Sequence, residues 1–196
     1  MNITSVRNIN FQKTLKAKAA IQHEGEIRSV DIFCIDDDKD VSALEKQADF
    51  WDWNRSFYLP EIFAFCPSTS SEMRYQLYTL ELDGKLLAYS IIHKTEDDIE
   101  VELLEVAPAY SVYNTERKTK YVGETMMSFL ASVAKKEGKK VSITEVADRE
   151  KTKNFYFQLC GFDELPDKQA LLSGCKLDNL ISNNQGHTGK KIELIG

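Results

Sequence analysis

The stretch RKTKYVGETMMSFL, residues 117–130, gathers the residue types that hold anions. Arg117, Lys118 and Lys120 precede Gly123 and an apolar-periodic run, in a chain whose formal net charge is −6. The start of a helix carries unpaired backbone N–H groups and a positive partial charge. A glycine there lets an anion approach the backbone, and flanking cations add full charges that suit phosphate. The competing reading is an exposed basic loop in which Gly123 only helps to cap the helix. Neither G-x-x-x-x-G-K-[ST] nor G-x-G-x-x-G occurs anywhere in the chain, so this is not a nucleotide loop of either familiar kind. Cys34, Cys66, Cys160 and Cys175 show no C-x-x-C spacing. They read as small buried hydrophobes in a reducing compartment. His23, His93 and His187 are scattered, and their spacing calls for no metal site.

The elements that must position residues 117–130 are legible on both sides. FQKTLKAKAAIQ and IRSVDIFCID alternate in part with period two around the turn HEGE, which predicts two strands, the second running to about Ile35. Asp40 or Ser42 caps a predicted helix beginning VSALEKQADFW, and Pro60 marks a further helix start in an aromatic segment. RYQLYTLEL-DG-KLLAYSIIHK reads as a hairpin, because Asp83-Gly84 suits a type I′ turn between alternating runs. IEVELLEVAP is the next strand of the same meander, ended by Pro108. A helix is predicted from about Val122 to Glu137, with Val122, Met126, Phe129, Leu130 and Val133 on one face and Gly138 past its end. KKVSITEVA is a strand, REKTKNFYFQLCGF a second helix, and KKIELIG a closing strand. This order gives one mixed α/β domain over residues 1–196 with a mostly antiparallel sheet flanked by helices, residues 1–28 forming an N-terminal strand extension.

At 196 residues the chain is long enough for a real core. Its acidic balance excludes nucleic-acid binding by bulk electrostatics. No apolar run approaches the ~20 residues of a membrane helix, and residues 1–21 show no secretory pattern. A cytoplasmic location and no membrane partner are expected.

LEVAP, then KYVGET opening a helix, then a strand, then NFYFQLCGF resembles the GNAT superfamily of acyl-CoA-dependent N-acyltransferases. Their pyrophosphate loop, [QR]-x-x-G-x-[GA], follows a strand ending V-x-P, and their next helix ends in a Y-x-x-x-G-F-like phrase. The resemblance covers residues 74–163. It implies a GNAT-like fold and acetyl-CoA as co-substrate, lying between the splayed strands IEVELLEV and KKVSITEV. Its pantetheine arm would pair with the backbone of Leu104, Glu105 and Val106. Its pyrophosphate would sit on the amides of Tyr121, Val122, Gly123, Glu124 and Thr125, with Lys120 binding beside them through its charge. Lys120 stands where relatives carry Gln or Arg, and Thr125 where they carry Gly or Ala. The connection after Pro108 is several residues longer than usual, long enough to lid the site.

The same resemblance implies that a strand carboxylate removes the proton from the attacking amine. Glu100 or Glu102 would serve, expected by alternation on one face with Leu104 and Val106, with Glu145 a third candidate. Solvent-facing strand residues are the plain alternative for both. Phe157 takes the place of the tyrosine that reprotonates the leaving thiolate in many relatives. Tyr156 lies about 100° away around a helix and is expected to pack its ring against the sheet. Trp51, Trp53, Phe57 and Tyr58 fall where relatives wall the acceptor site, with Asp52 to hold an ammonium. Such a cluster also reads as core, and His93 as a half-buried residue. The resulting expectation is an acetyl-CoA-dependent N-acetyltransferase acting on a small or protein-borne primary amine. The rivals are a non-catalytic acyl-CoA-binding module, motivated by Phe157 and Thr125, and a mixed α/β interaction protein.

Overall fold

The computed structural model describes residues 13–35, 44 and 75–196. The predicted helices after Asp40 and at Pro60, the aromatic segment at Trp51–Tyr58, Cys66 and the first twelve residues lie outside the described residues. The elements are β1 (Lys13–His23), β2 (Glu26–Ile35), β3 (Tyr75–Leu82), β4 (Lys85–Lys94) and β5 (Asp98–Val106). They continue with β6 (Thr119–Lys120), α1 (Val122–Glu137), β7 (Lys140–Ile143), α2 (Glu150–Lys153), β8 (Asp163–Glu164), β9 (Ala170–Leu172), α3 (Cys175–Thr188) and β10 (Glu193–Leu194). A π-helix, Asn154–Leu159, continues α2.

The expected β1–β2 and β3–β4 hairpins form because the turn of each meets the positive φ that a two-residue hairpin requires. Asp83 and Gly84 sit at φ 51° and 77°, and Glu24 and Gly25 at 52° and 87°. The sheet order is β10-β1-β2-β3-β4-β5-β7-β9-β8, with β6 beside β1. Each pairing is antiparallel except β5 with β7. The architecture is therefore the predicted mixed α/β one, with a mostly antiparallel sheet. The predicted strand over KKVSITEVA is shorter, since β7 stops at Ile143 and leaves Glu145 in the following loop.

α1 lays Val122, Met126, Phe129 and Leu130 on one sheet face, against Ile21, Ile32, Leu80 and Ile92. The αL cap at Gly138 ends it as expected. Ile35, Leu77, Leu86, Tyr89 and Ile91 form a second cluster on the opposite face with Leu44.

One irregularity re-aims the strand that the site depends on. Ile91 pairs with Leu103 and Ile92 with Val101, so Glu102 is an extra residue bulged out of β5. Ile99, Val101, Leu104 and Val106 consequently pack with the α1-side core, whereas Leu103 packs with Ile91 on the other face. The expectation that Glu100 shares a face with Leu104 and Val106 assumed unbroken alternation. The bulge puts Glu100 on the opposite face.

Candidate functional site

β5 pairs with β7 only through Asp98, Ile99 and Glu100. Beyond that point the two strands part, and the β7-side edge of β5 is open. The Ala107 amide donates to the Leu87 carbonyl at 2.9 Å. Antiparallel alternation then turns the peptide groups of Leu104 and Val106 away from β4 and into the opening. These are unpaired strand groups at a parting of strands, where an extended ligand can add itself to the sheet.

A cavity of about 320 Å³ fills the opening. Leu104, Glu105 and Val106 form its floor, residues 120–124 close one end, and Phe155, Tyr156 and Leu159 wall it from the π-helix. Tyr110, Val112 and Tyr113 come from the long connection after Pro108, which thus runs over the site. Tyr113 Oη lies 2.6 Å from Thr152 Oγ1 and ties that connection across to α2.

The closed end is the start of α1. Tyr121, its N-cap, is left-handed at φ 67°, and the Thr125 amide makes the first intrahelical bond, to the Tyr121 carbonyl at 2.8 Å. The amides of Val122, Gly123 and Glu124 come before that bond and have no intrahelical acceptor. A left-handed non-glycine residue costs about 1–2 kcal/mol, which surrounding contacts must offset. The Tyr121 ring stacks on His187 of α3, with centroids 4.6 Å apart and planes 12° apart. His187 Nδ1 in turn lies 2.9 Å from Oε1 of Glu124, whose side chain is 2% exposed. Gly123 is needed for close packing, since a Cβ there would sit 3.2 Å from the Phe155 ring and 3.4 Å from Val106.

The three predicted cations divide. Arg117 and Lys120 line the cavity. Lys118 points elsewhere and pairs with Glu24 at 3.0 Å. Thr125 also departs from the expected role. Its amide is spent in the helix, and its buried hydroxyl donates to the Ala20 carbonyl at 3.1 Å and accepts from Asn184 at 3.0 Å. The cradle therefore spans the amides of Val122 to Glu124, and Thr125 anchors it from below.

The second helix changes the tyrosine assignment. The Cys160 amide donates to the Phe155 carbonyl at 2.9 Å, an i to i+5 bond that fits one extra residue into the turn. Tyr156 thereby lines the cavity, and Phe157, which is not among its lining residues, packs against the core. Tyr156 belongs to the buried core, as expected, and the π turn also brings it to the cavity wall. Burial, with the charge of Cys160 as a lesser cause, pushes the Tyr156 phenol well above its ordinary range, so it keeps its proton. No hydrogen bond from a described residue reaches that hydroxyl. Only the closeness of two aromatics before Cys-Gly-Phe hinted at this in the sequence; Glu124 with His187, 63 residues apart, gave no signal.

Glu100 and Glu102 do not line the cavity. They lie on β5 before Leu104, at the end of the opening away from the cradle. Glu100 Oε2 is 3.5 Å from His93 Nδ1, and the His93 ring lies 5.5 Å from that of Tyr75. Burial holds the Glu102 carboxyl above its usual range, Glu100 adds to the rise, and His93 opposes it. Glu145 is exposed and faces Lys168 at 3.7 Å, remote from this arrangement.

A sheet parted beside a bulged strand, with a helix N-terminus closing the gap, is the architecture of the GNAT N-acetyltransferases, and the chain has that fold. It is similar to the ribosomal-protein-S18-alanine N-acetyltransferase of Escherichia coli, with a TM-score of 0.52 and 17% identity over 72% of this chain and 88% of that one. The GNAT domain of S. lividans PAT gives 0.51 and 14%, covering 80% of this chain and 94% of that domain. A tandem GNAT protein from the clavulanic acid biosynthesis pathway gives 0.51 and 10%, over 70% of this chain and 45% of that one. No family model and no curated protein matches the sequence.

Proposed function

We propose that the protein is an acyltransferase that moves an acetyl group from acetyl-CoA to a primary amine. The observation that carries this reading is the opening beside β5. It offers the unpaired peptide groups of Leu104 and Val106 to an extended amide-bearing chain. It ends on the amides of Val122, Gly123 and Glu124, with Arg117 and Lys120 beside them. A pantetheine arm carrying a pyrophosphate has that sequence of groups. Bound there, acetyl-CoA supplies an activated thioester.

The chain's own groups do the rest. With the phosphates at the cradle, the thioester end extends along β5 toward the bulge. Glu102 lies two residues before Leu104, roughly 7 Å along a strand. Its raised carboxyl suits it to take the proton that the amine loses as nitrogen bonds to the acyl carbon. Glu100 and His93 hold the charge around it. Tyr156, which keeps its proton and lines the cavity, would hydrogen-bond the sulfur as the C–S bond breaks, with solvent supplying the thiol proton afterwards. Tyr156 in the cavity supports the catalytic reading over the non-catalytic one, which was motivated by Phe157 and Thr125.

The carboxylates on the far face favour a cationic acceptor, such as a polyamine, an aminoglycoside or a lysine side chain. The free thiols Cys160 and Cys175 fit a cytoplasmic setting for this chemistry. The test is incubation with acetyl-CoA and one amine of each class, reading thiol release together with the mass of the product. Acetylated amine with equal thiol release supports the reading. CoA binding without product from any of the three would assign a binding module instead.

A further inference from the structure

The start of α1 carries a carboxylate where the proposed ligand carries phosphates. Glu124 stands in the first turn, with its amide in the cradle and its side chain buried. Its Oε2 is buried without a hydrogen-bond partner among the described residues, so that half of the carboxylate has no compensating contact there. An unpaired buried negative charge beside an anion cradle weakens anion binding, because little water lies between to screen it. Among the described residues, its other oxygen contacts His187.

We propose that His187 is a positioning residue for the anion cradle. It holds Tyr121 in its left-handed turn by stacking, and its imidazole contacts the Glu124 carboxylate and offsets that group's repulsion of the phosphates above it. This rests on the function proposed above, and it names the device that makes the acidic first turn compatible with that function. His187 is well placed for both tasks. It lies in the last turn of α3, where the helix dipole favours a cation, and Glu124 lies in the first turn of α1, where the dipole favours an anion. The same helix fixes the cradle a second time, through the bond from Asn184 to Thr125. α3 is thus a brace behind the cradle, and His187 is its contact with Glu124. At 43% exposure the imidazole is replaceable without opening the core.

The test uses coenzyme A as the titrant in calorimetry, with thermal unfolding of each protein alone as the control. His187→Ala is expected to weaken CoA about ten- to a hundredfold, the worth of a charge-assisted contact, and to leave the melting temperature nearly unchanged. His187→Gln, which can still donate to Glu124 but lacks the ring, is expected to fall between. The deciding variant is the double one. Replacing Glu124 by Gln in the His187→Ala background removes the repulsion and should recover most of the lost affinity. A merely structural role for His187 predicts no such recovery. Wild-type affinity in His187→Ala, or a double variant as weak as the single one, would overturn this inference alone. Failure of the wild-type protein to bind CoA would overturn it together with the function proposed above.

Discussion

At the scale of single side chains the proposed chemistry turns on Tyr156 and Glu102, and each can be tested by removing one polar group. Tyr156→Phe deletes only the hydroxyl, so CoA affinity should persist while kcat for acetyl transfer falls about 10²–10³-fold, the usual worth of a positioned hydrogen-bond donor. Phe157→Leu should cost little, because Phe157 packs outside the cavity. Glu102→Gln should lower kcat by a similar factor, and Glu100→Gln by less. In the wild type the ascending limb of the rate–pH profile should lie above the ordinary carboxylate value of about 4.3, since burial and Glu100 raise the carboxyl of Glu102. The buried thiol of Cys160 gives a stability prediction. Burial, and secondarily the charge of Glu124, raises it in the folded state. An unfolded thiol ionises near pH ~8.5. The folded chain therefore holds a proton that the unfolded chain releases. The associated stability is fully present below that pH and is lost as pH rises above it. Urea unfolding at pH 7 and pH 10 should show the loss, and Cys160→Ala should flatten it.

Two departures from regular geometry decide what the elements present. The β5 bulge at Glu102 and the π turn at 154–159 each insert one residue and shift every side chain beyond it. That is why the strands, α1 and its glycine cap were legible in the sequence, whereas the face of Glu100 and the entry of Tyr156 into the cavity were not. Periodicity reports an element and its apolar face from residue types alone. An inserted residue leaves those types nearly unchanged, since Glu-Leu-Leu-Glu reads the same with or without a bulge. Thr125 was misassigned for another reason. Its partners, Ala20 and Asn184, lie 105 and 59 residues away, and only the packing of α1 between β1 and α3 brings them together. Thr125→Val should accordingly cost about 1–3 kcal/mol of folding stability by leaving a buried partner unmatched, measured by denaturant unfolding. Gly123→Asp acts on the element differently. Its Cβ must displace the Phe155 ring and its carboxylate faces the cradle, so CoA binding should be lost.

For the whole molecule, the central claim is that the parting of β5 from β7 is a cofactor site, with the cradle at one end and the bulge at the other. α1 and α3 brace the cradle from behind, the π-helix walls the opening, and the connection tied by Tyr113 to Thr152 covers it. A ligand that spans these parts binds the folded chain and not the unfolded one, so it must stabilise the fold. The most direct measurement is thermal unfolding of the full chain across a coenzyme A titration. At a hundred times its Kd, CoA should add about 2.7 kcal/mol, a rise of several degrees in Tm, and Gly123→Asp should abolish the rise. An unmoved Tm at millimolar CoA, in wild-type protein that unfolds cooperatively, would contradict the account.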